Sequence, residues 1–253
     1  MSSILLNPEV RPVWTVGTAA ELLAAYERVW ERKTILRRLY ESWYELIARE
    51  LRPGPVLEIG AGTGNFKRWM DRQGRTCWTL DIIRGRFVDV QADALKLPLR
   101  EASVENVVLI DALHHFSRPT AFIRAAAGCL RAGGRLILLE PYVSWWGWFV
   151  YKYLHHEGVD FSFVESDSAK AAWDGNAAIP RLVLETAGVG SLPLRLVKSS
   201  HCEFLSYPLS GGFSYRSLLP ESALLALHRL EQSRLFRNRL LSLRVFAVLE
   251  KSA

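Results

Sequence analysis

The sequence is poor in cysteine, has no long apolar run and carries no strong charge imbalance, and each shortage excludes something. Its three cysteines, Cys77, Cys129 and Cys202, are widely spaced in 253 residues. An odd, scattered set offers neither a disulfide framework nor a zinc-ligand spacing; a reducing, cytoplasmic setting is expected, and no metal site. The longest apolar stretch, Trp145 to Leu154, is broken by Lys152 and falls well short of the roughly 20 residues a membrane-spanning helix needs. The opening MSSILLNPEVRP shows no basic start followed by an apolar core, so no secretory signal is read there. No repeat or low-complexity tract is visible. With 32 basic and 26 acidic residues the net charge is +6, too mild for a nucleic-acid footprint; that partner is disfavoured. The excess is compatible with an anionic substrate or a peripheral membrane contact. Arg229, Arg234, Arg237, Arg239 and Arg244 read as a solvated helix face.

What is present is a globular composition, 49% apolar and 23% charged, at a length that suits one large domain or a domain with an embedded cap. Residues 19–51 read as helical, because Leu36, Tyr40, Trp43 and Ile47 recur on one face. Arg52-Pro53-Gly54-Pro55 ends that stretch. Strands and helices then alternate: strands at Val56–Ile59, Cys77–Ile82, Phe87–Gln91, Val107–Ile110 and Arg135–Glu140, with helices at Phe66–Gln73 and Ala121–Leu130 between them. The turn Arg131–Gly134 closes the second helix. This rhythm predicts a doubly wound α/β fold, a mostly parallel sheet covered on both faces. Residues 141–175 interrupt it as an aromatic-rich insertion after the fifth strand. A helix over Ile179–Ala187 ending at Gly188, a sixth strand at Leu192–Val197, a short extended piece at Glu203–Tyr207, a helix over 221–236 and a last strand at Leu243–Leu249 complete the chain; the late strands suit an antiparallel finish. Two units are expected: residues 1–52 as a helical cap, and residues 53–253 as the main domain carrying the insertion.

The most informative segment is Val56-Leu57-Glu58-Ile59-Gly60-Ala61-Gly62-Thr63-Gly64-Asn65-Phe66, an apolar strand running into three glycines and a helix. Glycine admits positive φ and close approach of a ligand, and the carboxyl end of a strand in such a sheet is where ligands sit. The spacing is Gly-x-Gly-x-Gly. A dinucleotide fingerprint wants its third glycine one residue later, where Asn65 stands. Glu58 also suits a cationic ligand better than a phosphate. Asp81, followed by Ile82 at the end of the second strand, can accept both ribose hydroxyls. Asp93-Ala94, after the third strand, offers an acid for an adenine amino group and a small residue to admit the ring. Asp111 leaves the fourth strand towards the same crevice.

In that order, VLEIGAGTGNF, LDI, QADALKLPL, VVLIDALHHF and LRAGGRLILLEP resemble the successive motifs of class I S-adenosylmethionine-dependent methyltransferases, closest to the small-molecule type 11 group. The resemblance covers residues 55–141 well and the last strand loosely. It implies a Rossmann-like, seven-stranded sheet with a reversed last strand, S-adenosylmethionine as cofactor, and cofactor contacts at Glu58, Gly60, Gly62, Gly64, Asp81, Asp93, Ala94 and Asp111. One departure stands out: only 11 residues separate Asp81 from Asp93, so the helix usual there is shortened or lost.

Two histidine pairs offer a general base for a hydroxyl acceptor: His115, with His114 beside it near the crevice, and His155 with His156 in the insertion. Packed or hydrogen-bonded histidines are the bland alternative. Acceptor-lining candidates are Tyr142, Trp145 and Trp148 of the insertion, with Tyr40 and Trp43 of the N-terminal helix opposite. They would form an apolar wall for a small, lipid-like or glycan acceptor. Ser210–Phe213 reads as a plain connecting loop. The rival readings are an NAD(P)-dependent oxidoreductase of the same architecture, against which Asn65 and Asp93-Ala94 speak, and a cofactor-binding protein without catalysis.

Overall fold

Along the central strands, residues alternate between two cores, and this alternation places the helices on the two faces of the sheet. The computed structural model describes residues 18–153, 158–166, 174–185, 192–233 and 235–252. Seven strands run in the order β3-β2-β1-β4-β5-β7-β6: β1 (Val56–Ile59), β2 (Cys77–Asp81), β3 (Val90–Gln91), β4 (Val104–Ile110), β5 (Leu130–Pro141), β6 (Arg195–Cys202) and β7 (Arg244–Glu250). All pairings are parallel except those of β7, which runs antiparallel to both β5 and β6. The reversed last strand expected from the sequence is therefore present. Val108, Ile137, Leu139, Phe246 and Val248 face α1 (Ala19–Arg32), α2 (Thr34–Ala48), α3 (Asn65–Arg72) and α8 (Glu221–Glu231). Their neighbours Val107, Leu109, Leu136, Leu138 and Ala247 face α4 (Pro119–Cys129) and α6 (Ile179–Glu185). Period-two burial on both faces is what a covered, mostly parallel sheet demands. The strand order reverses direction between β1 and β4, so the loops leaving these two strands part and open a crevice.

The helical stretch expected over 19–51 is two helices. Thr18 starts α1 with a reciprocal capping box to Glu21. Lys33 then leaves helical geometry, at φ −101° and ψ 87°. Its ammonium donates to the carbonyls of Gly212 at 2.6 Å and Tyr215 at 2.9 Å, tertiary partners that local periodicity does not register. The third strand is shorter than expected, because Asp89 spends its side chain on the backbone N–H and hydroxyl of Thr79 in place of ladder pairing. No helix lies between β2 and β3, as the short Asp81–Asp93 interval implied. Residues 131–134, expected as a turn, continue β5, with a register irregularity against β4.

The extended piece expected at Glu203–Tyr207 is replaced by the short helix α7 (Ser206–Ser210). Its start is pinned by a buried polar network. The Ser206 hydroxyl lies 2.8 Å from the Glu203 carboxylate and 2.7 Å from that of Glu231, and Glu231 also accepts the backbone N–H groups of Leu205 and Ser206. Glu203 further accepts the Trp43 indole N–H at 2.8 Å, so α2, α7 and α8 are tied through groups that are costly to leave unpaired. The helix expected over 221–236 stops at Glu231. The insertion begins as α5 (Trp145–Tyr153). His155, His156, Glu157, Ala187, Gly188 and Arg234 lie outside the described residues. Among the described residues, no helix is long and apolar enough to cross a membrane.

Candidate functional site

At the carboxyl ends of β1, β2 and β4 lies a cavity of about 710 Å³. One half is polar and built on the strand-end loops; the other is aromatic and built on helices. In the polar half the β1 and β4 loops nearly touch. A Cβ on Gly60, at φ +74°, would sit 2.5 Å from the Ala112 side chain, so only glycine fits there. Gly62 is different: a Cβ there would meet only Leu23, at 3.9 Å, leaving that face of its backbone open. Gly64, expected at the ligand, does not line the cavity. It starts α3 in the left-handed conformation, and the space of its missing Cβ is filled by Phe87.

Asp81 fastens this half. One carboxylate oxygen accepts the Gly62 N–H and the other the Ile83 N–H, each at 2.8 Å. A carboxylate offers about four acceptor positions, so two backbone bonds leave capacity for a ligand. Ile82 stands beside it as an exposed apolar side chain on the cavity rim. Asp93 caps a 3-10 turn over Ala94–Lys96 by accepting the Leu95 N–H at 2.9 Å, and Ala94 lines the cavity. Glu58 is buried in the wall with one carboxylate oxygen lacking any hydrogen-bond partner. Burial pushes its carboxyl up to about 8. The Lys67 backbone N–H pulls the other way and the Asp81 charge adds to the rise.

Between the halves, Asp111 carries φ +54° and forms an ion pair with Arg244 while accepting the Tyr40 hydroxyl at 3.1 Å. Arg244 is therefore a buried β7 residue and not part of the solvated arginine face expected from sequence. Burial, then the charges of Tyr207 and Asp111, hold the Tyr40 phenol well above its usual 10, so it stays a proton donor. Deeper, Glu140 is wholly buried. It accepts the N–H groups of Ala112 and Leu113 at 2.9 and 2.8 Å with one oxygen and approaches His114 Nδ1 at 2.8 Å with the other. This fixes the loop after β4 and the orientation of the His114 ring. The His115 ring lies 4.1 Å from that of His114 and is the less buried of the two on the cavity wall.

The aromatic half is walled by Tyr26, Tyr40 and Tyr44 from the N-terminal helices, Tyr151 from α5, and Tyr207 and Phe213. Phe213 packs on Tyr26 at 4.8 Å and on Tyr40 at 5.9 Å between ring centres. Gly211, Gly212 and Phe213, expected as a plain loop, are thus cavity wall, and Lys33 suspends that wall from the break between α1 and α2. Of the five residues expected to line the acceptor side, only Tyr40 lines the cavity. Trp43 lies one layer behind, its ring 4.4 Å from that of Tyr40. Tyr142 is buried away from the cavity and donates to Glu185 at 2.7 Å. Trp145 and Trp148 point outward, because α5 turns Gly147, Val150 and Tyr151 inward and those positions share the opposite stripe.

Glu140, Arg244, Tyr207 and Lys33 escaped the sequence reading. A lone carboxylate ending the apolar run Leu136–Leu139 was a usable signal for Glu140. The other three depend on contacts across more than 130 positions in the chain: Arg244 with Asp111, Lys33 with Gly212, and Tyr207 with Tyr40.

A seven-stranded sheet with a reversed β7 and a glycine-lined cavity at the β1/β4 divide is the architecture of the Rossmann-like methyltransferase fold. Residues 57–138 match the family model described as a methyltransferase domain. No curated protein sequence matches the chain. Among solved structures, a possible histamine N-methyltransferase from Thermotoga maritima superposes with TM-score 0.54 at 16% identity, covering 90% of this chain and 97% of its own. A putative methyltransferase of Haloferax volcanii, in complex with the activator Trm112, gives 0.53 at 13%, covering 91% and 94%. A geranyl diphosphate methyltransferase, in complex with GPP and sinefungin, gives 0.53 at 14%, covering 85% and 78%. The match over residues 57–138, together with this fold, supports a class I S-adenosylmethionine-dependent methyltransferase with S-adenosylmethionine as cofactor.

Proposed function

We propose that this enzyme methylates an apolar small molecule or lipid-like acceptor held in the aromatic half of the cavity, with the cofactor in the polar half. The observation that carries the reading is the division of one cavity into a carboxylate-rich half at the glycine loop and a half walled by Tyr26, Tyr44, Tyr151, Tyr207 and Phe213. The polar half fits the cofactor on its own chemistry. The unpartnered, buried oxygen of Glu58 suits a cationic or N–H donor group. The Asp81 carboxylate has room for two ribose hydroxyls. Asp93, Ala94 and the exposed Ile82 suit the adenine edge and face. The open backbone at Gly62 admits close approach, whereas Gly60 serves the packing of the loop itself.

When bound, the cofactor supplies an electrophilic methyl group on a sulfonium. The chain's own task is then to hold the acceptor in line, about 3 Å from that methyl, and to exclude water. The aromatic wall does both for an apolar molecule. For a hydroxyl acceptor, His115 takes the proton. It lines the cavity and is the less buried of the histidine pair, while His114, locked by Glu140, acts as a positioning residue. Of the expected 1–52 cap, residues 1–17 lie outside the described residues, and α1 and α2 close the acceptor side.

Differential thermal stabilisation tests the cofactor half: S-adenosylmethionine and S-adenosylhomocysteine raise the melting temperature by mass action, and NAD and NADP leave it unchanged. For the acceptor half, Tyr207→Ala and Phe213→Ala are expected to lower methyl transfer with cofactor affinity retained. Full transfer in both variants refutes the aromatic wall as the acceptor site.

A further inference from the structure

The aromatic stripe of α5 that turns away from the cavity is itself a feature without an assigned use. Trp145, Trp148, Phe149 and Lys152 recur at positions i, i+3, i+4 and i+7, and Tyr153 lies beside them. Trp145 is 78% exposed and Tyr153 53%. Four large exposed rings on nine residues far exceed the scattered apolar exposure of ordinary surfaces. The Lys152 ammonium lies 4.3 Å from the Trp148 ring centre and 5.5 Å from that of Tyr153, so its charge sits over the aromatic stripe with its stem along it.

A second, independent feature adjoins this stripe. The Trp146 N–H donates to the Leu240 carbonyl at 3.0 Å, joining the start of α5 to residues 237–240. There a shallow surface depression is lined by Ser199, His201, Arg237, Asn238, Arg239 and Leu240. Arg237 Nε and His201 Nε2 are both inaccessible to water and have no hydrogen-bond partner. Arg239 forms an ion pair with Glu185 at 3.1 Å. Arg237 Nε is thus a donor without an acceptor, and Arg239 beside it makes the depression basic. The exposed side chains of Leu235 and Leu240 extend the apolar rim.

We propose that the outward stripe of α5 and the basic depression beside it form a docking surface for an anionic lipid bilayer, Trp145, Trp148 and Phe149 entering the headgroup boundary while Arg237 and Arg239 take lipid phosphates. Rings with a polar edge, flanked by lysine and arginine, are the composition of a membrane-interface anchor. Charge decides against a second copy of the chain: an isologous dimer over this face sets Lys152, Arg237 and Arg239 against their own equivalents. A bilayer bearing negative headgroups complements them. The opposite stripe of the same helix, Val150 and Tyr151, lines the cavity, so docking brings the acceptor half to the membrane. That last step rests on the apolar-acceptor reading; the docking itself does not.

Co-sedimentation of the full chain with vesicles tests it. Binding to phosphatidylcholine vesicles containing phosphatidylglycerol is expected, with little binding to phosphatidylcholine alone. Trp145→Ser/Trp148→Ser and Arg237→Gln/Arg239→Gln are each expected to weaken it about tenfold. Neither pair lines the cavity, so stabilisation by S-adenosylhomocysteine should persist in both and report an intact fold. Equal binding to both vesicle types, binding to neither, or unchanged binding by the variants overturns the proposal. So does displacement by inorganic phosphate at constant ionic strength without any effect of the tryptophan variant, which assigns the depression to a free anion. A dimer that Trp145→Ser/Trp148→Ser dissociates gives the face to a second copy and overturns it too. Because the readout involves no methyl transfer, a wrong acceptor leaves the result intact.

Discussion

Arg244 on β7 is paired with Asp111 at the end of β4, and the pair stands on aromatic faces. The guanidinium lies 4.1 Å from the Trp43 ring centre and 4.9 Å from that of Tyr207. The reversed last strand is thereby coupled to the loop at the cavity centre, and α2 and α7 are gathered around the same charge. A buried pair of this kind adds little net stability compared with apolar packing, but breaking it is costly.

Asp111→Asn, which keeps a residue tolerant of φ +54°, is therefore expected to lose up to about 3–5 kcal/mol of folding stability, because it leaves the Arg244 charge buried and unpaired. The double variant Asp111→Asn/Arg244→Met should recover most of the loss. Chemical denaturation of the two variants checks this. A double variant no more stable than the single one contradicts it.

Glu58 gives the apo-protein and the cofactor opposite pH dependences. Its folded pKa is raised, to about 8 from the ordinary 4.5. The folded state then binds the proton more tightly than the unfolded state. The stability this contributes is fully present below about pH 4.5 and is lost as pH rises through about 8. A cationic cofactor prefers the carboxylate, so its affinity should rise across the same upper limb, with proton release near neutral pH. Glu58→Gln should remove both slopes. Denaturation at about pH 5 and about pH 9, and calorimetry in two buffers of different ionisation enthalpy, measure them.

Lys33 holds the wall formed by residues 211–215. Burial lowers its ammonium to about 8, which marks how far the group is drawn out of water for two carbonyl partners. Lys33→Met should loosen that wall and raise the acceptor KM several-fold through two lost charged hydrogen bonds. Cofactor affinity should not change, since the glycine loop is untouched. Steady-state kinetics with calorimetry separates the two. An equal loss of cofactor binding speaks against a role confined to the acceptor side.

For a hydroxyl acceptor, His115→Ala should lower kcat by roughly 10²-fold or more, the usual contribution of a positioned base, with the cofactor Kd unchanged. The lower pH limb of kcat should vanish in the variant. Retention of that limb assigns the proton to another group.

The sheet was legible because its code is local. Apolar strands, period-two burial and the Gly60–Gly64 loop announce a doubly wound sheet and its crevice without reference to distant residues. The acidic residues Asp81, Asp93 and Asp111 could be placed at the crevice because Asp81 ends β2 and the other two follow β3 and β4 within two residues. The aromatic wall of the cavity was hard to read for a physical reason. Trp145 and Trp148 are conspicuous in sequence, but a helix has two faces, and composition does not say which faces inward. Here the smaller Gly147 and Val150 share the inner stripe with Tyr151. Phe213 was passed over because its role depends on the long-range bonds from Lys33. Gly64 belonged to the motif but serves Phe87, since a spacing rule records where glycine is needed and not what needs it.

The most direct test of the central claim is transfer of a labelled methyl group from S-adenosylmethionine into a fractionated cell extract, with wild-type protein and Asp81→Ala side by side. Wild type is expected to place label in the organic-soluble, low-molecular-weight fraction. Asp81→Ala, deprived of charge-assisted bonds to the ribose hydroxyls, should bind the cofactor about tenfold or more weakly and transfer correspondingly less at limiting cofactor. Label confined to protein, nucleic acid or the aqueous phase, or equal transfer by both proteins, contradicts the account.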